Sequence, residues 1–198
     1  QRELVDMLFN LNIPDSGTAE VNGKSIIGRP QREIRDMGVS LIPEDRMTYG
    51  IAGSATIEEN LMSDRIANKK YNKGALFNTQ AMHDDSDQLI KDYKVLCKTR
   101  NQQVGMLSGG NIQKVVVARE FSCNPGFIIA DQPTRGIDVG ATEFIRKKLV
   151  ELSREGAAVL LVSADLNEVM ELSDSLIVMV NGKIAAYFED TSMLNDTI

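Results

Sequence analysis

The chain has 198 residues, 42% hydrophobic and 25% charged, with a net charge of −6. This is the length and balance of one globular domain, with room for a small inserted subdomain, and its acidic sign argues against a general nucleic-acid binder. The longest apolar run, Ala157–Val162, is far short of the ~20 residues that cross a bilayer, no segment reads as a signal peptide, and Cys97 and Cys123 form neither a metal spacing nor a disulfide framework, so a soluble, reduced, cytosolic protein is expected.

Gln1–Leu11 reads as an amphipathic helix, with Leu4, Met7, Leu8 and Leu11 on one stripe. It opens without a cap, as a helix entered part-way does. Pro14-Asp15-Ser16-Gly17 is a turn cluster. Thr18–Val21 and Lys24–Ile27 flank Asn22-Gly23, the strongest short hairpin signal. Gln31–Met37 is a short helix, and Gly38–Ile42 a short strand stopped by Pro43. Tyr49–Ser54 is a loop, and Thr56 is placed to cap a helix over Ile57–Met62. Residues 64–76 are polar and basic without a period, and Asn78–Lys98 reads as a long helix. Met106–Gly110 is a loop that feeds a helix over Asn111–Ser122. Phe127–Ala130 and Ala157–Val162 are buried strands around a helix over Val139–Glu155. A helix over Leu166–Leu172 precedes a hairpin of Leu176–Val180 and Lys183–Phe188, turning on Asn181-Gly182. Short strands apolar on both faces, alternating with longer helices, belong to parallel sheets covered on both sides. The fold class is α/β, with a helical insert around 56–122 and an antiparallel hairpin near the start.

Two segments carry chemistry. Leu107-Ser108-Gly109-Gly110-Asn111 is a small-residue loop entering a helix. Its glycines let backbone approach an anion, Ser108 offers a hydroxyl, and the helix terminus offers free N–H groups. Taken alone, it is as readily a capped helix after a loop. Phe127-Ile128-Ile129-Ala130-Asp131 ends an apolar strand in a carboxylate, at the edge where α/β proteins bind ligands and where Mg²⁺ can be held. Taken alone, it is as readily a polar strand end.

Together, in this order, Leu107–Phe121 and Ile128–Ala141 resemble the ATP-binding-cassette (ABC) ATPase domain. The first resembles the family's signature motif and its helix; the second resembles Walker B and the D-loop, with Asp138 as the D-loop acid. The likeness covers essentially the whole chain: the early hairpin, the Q-loop position within Val39–Arg46, Ile57–Leu61, the switch region in Leu160–Asp165 and the late hairpin. The wording LSGGN, PTRGIDVGA and IPEDR is most similar to the second, C-terminal cassette of tandem ATPases from simple-sugar and nucleoside importers.

The departures from the family pattern are informative. Walker A, G-x-x-x-x-G-K-[ST], does not occur. Gly17…Gly23-Lys24-Ser25 spaces its glycines by five residues, where four are required, and lies in a hairpin. Gln1–Leu11 resembles the helix after Walker A, so the expectation is one ABC domain over 1–198 that lacks its first strands and Walker A. Gln132 stands at the catalytic Glu position, and a carboxamide cannot accept a proton from water. Ala164 stands at the switch His position and Glu44 at the Q-loop Gln position.

The resemblance implies a P-loop-NTPase-like, mainly parallel sheet with helices on both faces and a helical signature subdomain. It implies ATP and Mg²⁺ as ligands, with Asp131 on Mg²⁺. It implies a head-to-tail pair, in which Leu107, Ser108, Gly109, Gly110 and Asn111 close over ATP held by a partner cassette, expected in the N-terminal half of the same parent chain. Permease subunits, a peripheral position on the cytoplasmic face of the membrane, and no nucleic acid are implied as well. This chain's own Walker side reads as degenerate, and the fragment alone as inactive. Two alternatives stay open: a non-transport ABC ATPase, and a regulatory nucleotide-binding module without turnover. The missing strand is expected between the Walker B and switch-region strands, so that a rearranged sheet or self-association follows.

Other residues take plainer readings. Met47, Met62 and Met106 are packing or subunit-contact residues, and Lys69, Lys70 and Lys73 lie in a solvated loop. Asp84, Asp85 and Asp87 lie on helix surface, and His83 on a solvated helix face. Arg135 is either an intersubunit contact or a local ion pair.

Overall fold

The computed structural model describes residues 1–72 and 76–191. Seven helices and seven strands are seen among them: α1 Arg2–Leu8, β1 Glu20–Val21, β2 Lys24–Ser25, α2 Gln31–Asp36, β3 Val39–Ile42, α3 Ile57–Met62, α4 Thr79–Asp92, α5 Gly109–Phe121, β4 Phe127–Asp131, α6 Val139–Arg154, β5 Ala158–Val162, α7 Leu166–Leu172, β6 Leu176–Val180 and β7 Lys183–Phe188. The fold is mixed α/β, as expected. Lys73 lies outside the described residues.

The central sheet has the order β3-β4-β5 and is parallel throughout. Alternate residues feed two cores. Val39, Leu41 and Ile129 pack with Val5, Phe9, Ile26 and Ile34 on one side. Ile42, Ile128 and Ala130 pack with α3, α5 and α6 on the other. The period of two in strand side chains thus puts helices on both faces.

Glu120 of α5 ties the sheet to the first face. It is fully buried and accepts both Arg35 guanidinium nitrogens, at 2.8 and 3.0 Å, and Arg119 Nε at 3.0 Å. Burial alone would lower the Arg35 pKa, but the hydrogen bond and charge of Glu120 raise it. Removing one partner of such a pair strands a buried charge, which costs roughly 3–5 kcal/mol.

Both Asn-Gly hairpins form as the sequence signals. Asn22 and Gly23 have φ of 52° and 72°, Asn181 and Gly182 of 49° and 74°. These left-handed pairs are what a two-residue primed turn needs. Gly23-Lys24 closes a hairpin, so the near-miss phosphate loop is no phosphate loop. Thr56 caps α3 through a reciprocal capping box with Glu59.

Several expectations are corrected. α1 stops at Leu8, and its buried positions are Val5 and Phe9, four apart, rather than the stripe of Leu4, Met7, Leu8 and Leu11; Leu11 is exposed. The helix over 78–98 is shorter: α4 ends at Asp92, because Lys94 takes φ 52°. Residues 46–50 form a π-helical turn rather than open loop, capped by Asp45. β5 is not fully buried: Ala158 is exposed and Val159 to Leu161 are half-buried. His83 is half-buried, its Nδ1 2.7 Å from Glu58 Oε2. Asp85 is half-buried too and accepts from Lys70 and Tyr71. Met62 is core, while Met47 and Met106 are exposed.

The expected gap is closed directly, which is one form of the rearranged sheet anticipated from the sequence. β4 and β5 pair directly from Phe127↔Ala158 to Asp131↔Val162, with no slot between them. The open edge is the other side of β5. There a groove of about 710 Å³ runs between β5 and β6, lined by Leu160, Leu161, Leu176 and Ile177, with Gln1 and Leu4 on its wall. β6 pairs only with β7 among the described residues.

Candidate functional site

Three segments meet at one edge of the sheet. The first is the amino terminus of α5. Ser108 is its N-cap residue, extended and exposed, and its hydroxyl accepts from Asn111 Nδ2 at 2.9 Å. Asn111 Oδ1 in turn accepts the Leu96 N–H at 2.8 Å. The helix begins at Gly109, two residues earlier than expected, so both glycines lie in its first turn. Their roles differ. A Cβ on Gly110 would collide with Asp138 Oδ2 and lie 2.9 Å from Ala141 Cβ. Gly110 is therefore a packing glycine that lets α5 meet α6. Gly109 faces the Arg46 guanidinium, 3.0 Å from where its Cβ would stand.

The second segment follows β4. Asp131 is buried at the strand's carboxyl end. Burial, with Glu44 and Asp6 nearby, pushes its carboxyl up to about 6. Gln132 takes φ 50°, and its Oε1 accepts the Ala164 N–H at 3.2 Å. The two substituted positions thus bond to each other. Gln113 of α5 donates to Pro133 O at 2.7 Å and holds the loop from below. Asp138 caps α6 through the Ala141 N–H at 2.9 Å.

The third segment is the end of β5 and the start of α7. Glu168, almost fully buried, accepts from Thr134 Oγ1 and Ser163 Oγ, both at 2.7 Å, and from Arg146 Nε at 3.2 Å. Arg146 also reaches Asp165 at 3.2 Å and Glu171 at 3.0 Å. The loop after β4 and the loop after β5 are therefore fixed to one buried carboxylate.

Leu107 to Asn111, Asp131, Gln132, Asp138 and Ala164 lie in these segments and Glu44 beside them, while His83, Asp84, Asp85 and Asp87 lie on α4. Glu44 forms an ion pair with Arg135 within this chain. The residues missed by sequence reasoning are Arg46, Gln113, Arg146 and Glu168. Apart from Ser163, which lies close to Glu168 in sequence, their partners lie 19 to 90 positions away, so no local pattern marks them.

The residues present fit a divalent cation only in part. Among the described residues no group of three or more His, Cys, Asp or Glu side chains could hold a metal. Asp131 with Glu44 nearby is an electron-rich position suited to Mg²⁺ that arrives with phosphate oxygens, the usual habit of that ion. An ionised Asp131 is costly here without a cation. Its folded-state pKa is raised, so its contribution to stability is present in acid and is lost as the pH rises through about 6. Asp131→Asn should therefore raise the melting midpoint at pH 7.5 by several degrees, about 1–3 kcal/mol, and leave it nearly unchanged at about pH 3, below the carboxyl's ordinary value. Thermal melts of both proteins at both pH values check this.

The model of the ABC transporter family matches residues 3–135, and the chain belongs to that family. It is 40% identical over 186 residues to the guanosine import ATP-binding protein NupO of Bacillus subtilis, covering 94% of this chain and 36% of that protein. It is 31% identical over 196 residues to the galactose/methyl galactoside import ATP-binding protein MglA of Escherichia coli, covering 99% of this chain and 38% of that one. The chain thus spans little more than a third of the length of these relatives. Its fold is that of solved ABC cassettes. A nucleotide-free cassette from an ABC transporter superposes with a TM-score of 0.78 at 23% identity, covering 98% of this chain and 78% of that one. The dimeric cassette MJ0796 bound to ADP and Pi gives 0.77 at 20%, covering 94% and 78%. Among the described residues no helix is long and apolar enough to cross a membrane.

Proposed function

We propose that this chain is part of the ATP-binding subunit of an importer for a simple sugar or nucleoside. In this reading it is the second cassette of a longer protein, whose first cassette is its partner, and it works against permease subunits on the cytoplasmic face of the membrane. The relatives' names, a guanosine importer and a galactose/methyl galactoside importer, support the solute class.

One contrast carries the mechanistic reading. Ser108 and Gly109 stand exposed or half-exposed beside a guanidinium, whereas the Gln132 side chain is committed to the Ala164 backbone. The first arrangement suits an incoming phosphate: a helix terminus, a hydroxyl and a cation on one face. The second has no base for water and no imidazole at the switch position. Thus Leu107 to Asn111 complete an ATP site whose Walker side belongs to the partner cassette. Asp131 is the Mg²⁺ position of this chain's own site, flanked by Glu44, with Gln132 and Ala164 making that site slow or silent. Asp138 holds the D-loop against the signature helix. The regulatory reading is kept for this one site, since the Gln132–Ala164 bond favours nucleotide held without turnover.

The test is sedimentation of this chain mixed with the first cassette of its parent protein. MgATP should drive them into a 1:1 pair; an unchanged sedimentation profile with MgATP overturns the reading.

The open β5 edge has its own consequence. Unpaired strand edges recruit other strands. The isolated chain should self-associate through the groove between β5 and β6, and light scattering should show dimers or larger species. Leu160→Lys, which charges the groove wall, should return it to monomer.

A further inference from the structure

Arg46 joins the loop after β4 to the start of α5. Its Nη1 donates to Arg135 O at 2.9 Å and its Nη2 to Gly136 O at 3.2 Å. The same Nη2 lies against Gly109 at the start of α5. Arg135 returns the link with its own ion pair to Glu44. The base of Arg46 is fixed as well. Asp45 accepts the Met47 and Thr48 N–H groups at 3.0 and 3.1 Å. A Cβ on Gly50 would lie 3.2 Å from both Arg46 Cβ and Val116 Cγ2, so the 46–50 turn lies tightly on α5.

We propose that Arg46 is a positioning residue that fixes the 135–138 loop to the amino terminus of α5, so that Ser108, Gly109 and Asp138 are presented as one rigid face. The geometry explains why one residue type suffices. Gly136 has φ 67°, and the loop here forms no strand or helix, so its carbonyls need partners from elsewhere. A planar guanidinium can serve two carbonyls on different nitrogens and still present an edge to Gly109. An ammonium has one nitrogen and cannot stand at all three places. Asp138 then has a fixed position over Gly110, where the two helices meet. The positional claim stands without the reading of Ser108 as a phosphate contact; only its consequence for ATP rests on that reading.

The experiment is amide exchange on the 198-residue chain with Arg46→Ala, Arg46→Lys and Glu44→Gln. In Arg46→Ala, the amides of Ile112, Ala141 and Thr142, which bond Ser108 and Asp138, should exchange about tenfold faster, while those of β3 and β4 stay as in the parent. Arg46→Lys should behave like Arg46→Ala, and millimolar ethylguanidinium should slow exchange again in Arg46→Ala alone. Glu44→Gln, which spares Arg46, should have at most a threefold effect. Uniform acceleration across β3 and β4 would mean that Arg46 serves only global stability, and full protection in Arg46→Lys would mean that charge alone suffices; either overturns the proposal. If Arg46→Ala does not fold, the Arg46→Lys result decides. Ser108→Arg separates the two readings: it should leave exchange at Ala141 and Thr142 unchanged, so failure of the ATP reading leaves this test intact.

Discussion

Ser108→Arg in the assembled transporter is expected to abolish transport, whereas Gln132→Ala should leave most of it. Ser108 is an exposed cap residue whose hydroxyl bonds only Asn111 among the described residues, so an Arg there costs the fold little. It does fill the space in front of the helix terminus, where the proposed function has the γ-phosphate of the partner's ATP dock. Its charge is the right sign for phosphate, so loss of transport would report bulk and geometry rather than repulsion. Gln132→Ala removes a carboxamide that cannot act as a base and whose one bond goes to a backbone N–H. Such a bond is worth about 1 kcal/mol. Gly110→Ala is the necessary control. It should also abolish transport, but through packing, because its methyl meets Asp138 and Ala141. A melting midpoint lowered in Gly110→Ala and unchanged in Ser108→Arg separates the two causes. Equal loss of transport in Ser108→Arg and Gln132→Ala would mean that the two sides of the site are assigned the wrong way round.

Much of this site can be read from the sequence, and the reason is local. A cap, a strand-end carboxylate and an Asn-Gly turn are all encoded within a few residues, so Thr56, Asp131 and Asn181-Gly182 fall where their neighbours dictate. The resemblance to the family then orders these pieces. What the sequence hides is pairing at a distance. Glu168 reads as an ordinary helix-surface acid, yet it is buried and binds three side chains from three elements. Gly110 reads as a flexible loop residue, yet it sits within a helix and is required by a helix crossing. The direct pairing of β4 with β5 is hidden for the same reason. Apolar strands carry no mark of which neighbour they pair with, so Phe127–Asp131 and Ala158–Val162 give no hint in sequence that they share a ladder.

The isolated chain is expected to show no measurable ATP turnover, against the ~1 s⁻¹ ordinary for an enzyme. Three independent features lead there. Within its 198 residues no Walker A pattern occurs, so no backbone cradle and lysine hold the β- and γ-phosphates. Gln132 cannot take the proton of an attacking water, a loss typically worth 10²–10⁴-fold by itself. Ala164 offers only its backbone, already bonded to Gln132. The losses differ in kind, and this gives the test its resolution. Gln132→Glu combined with Ala164→His restores the base and the imidazole but no phosphate cradle, so the double variant should remain silent in the isolated chain. Placed in the full-length protein, the same double variant should raise turnover, if the parent supplies a Walker A. Phosphate release measured in both settings gives four numbers. Turnover near ~1 s⁻¹ in the isolated parent chain, unaffected by Asp131→Ala, would end this reading. Turnover that appears in the isolated double variant would show that these residues bind ATP without a phosphate loop, and that the Gln132–Ala164 bond, rather than the missing cradle, is what keeps the site quiet.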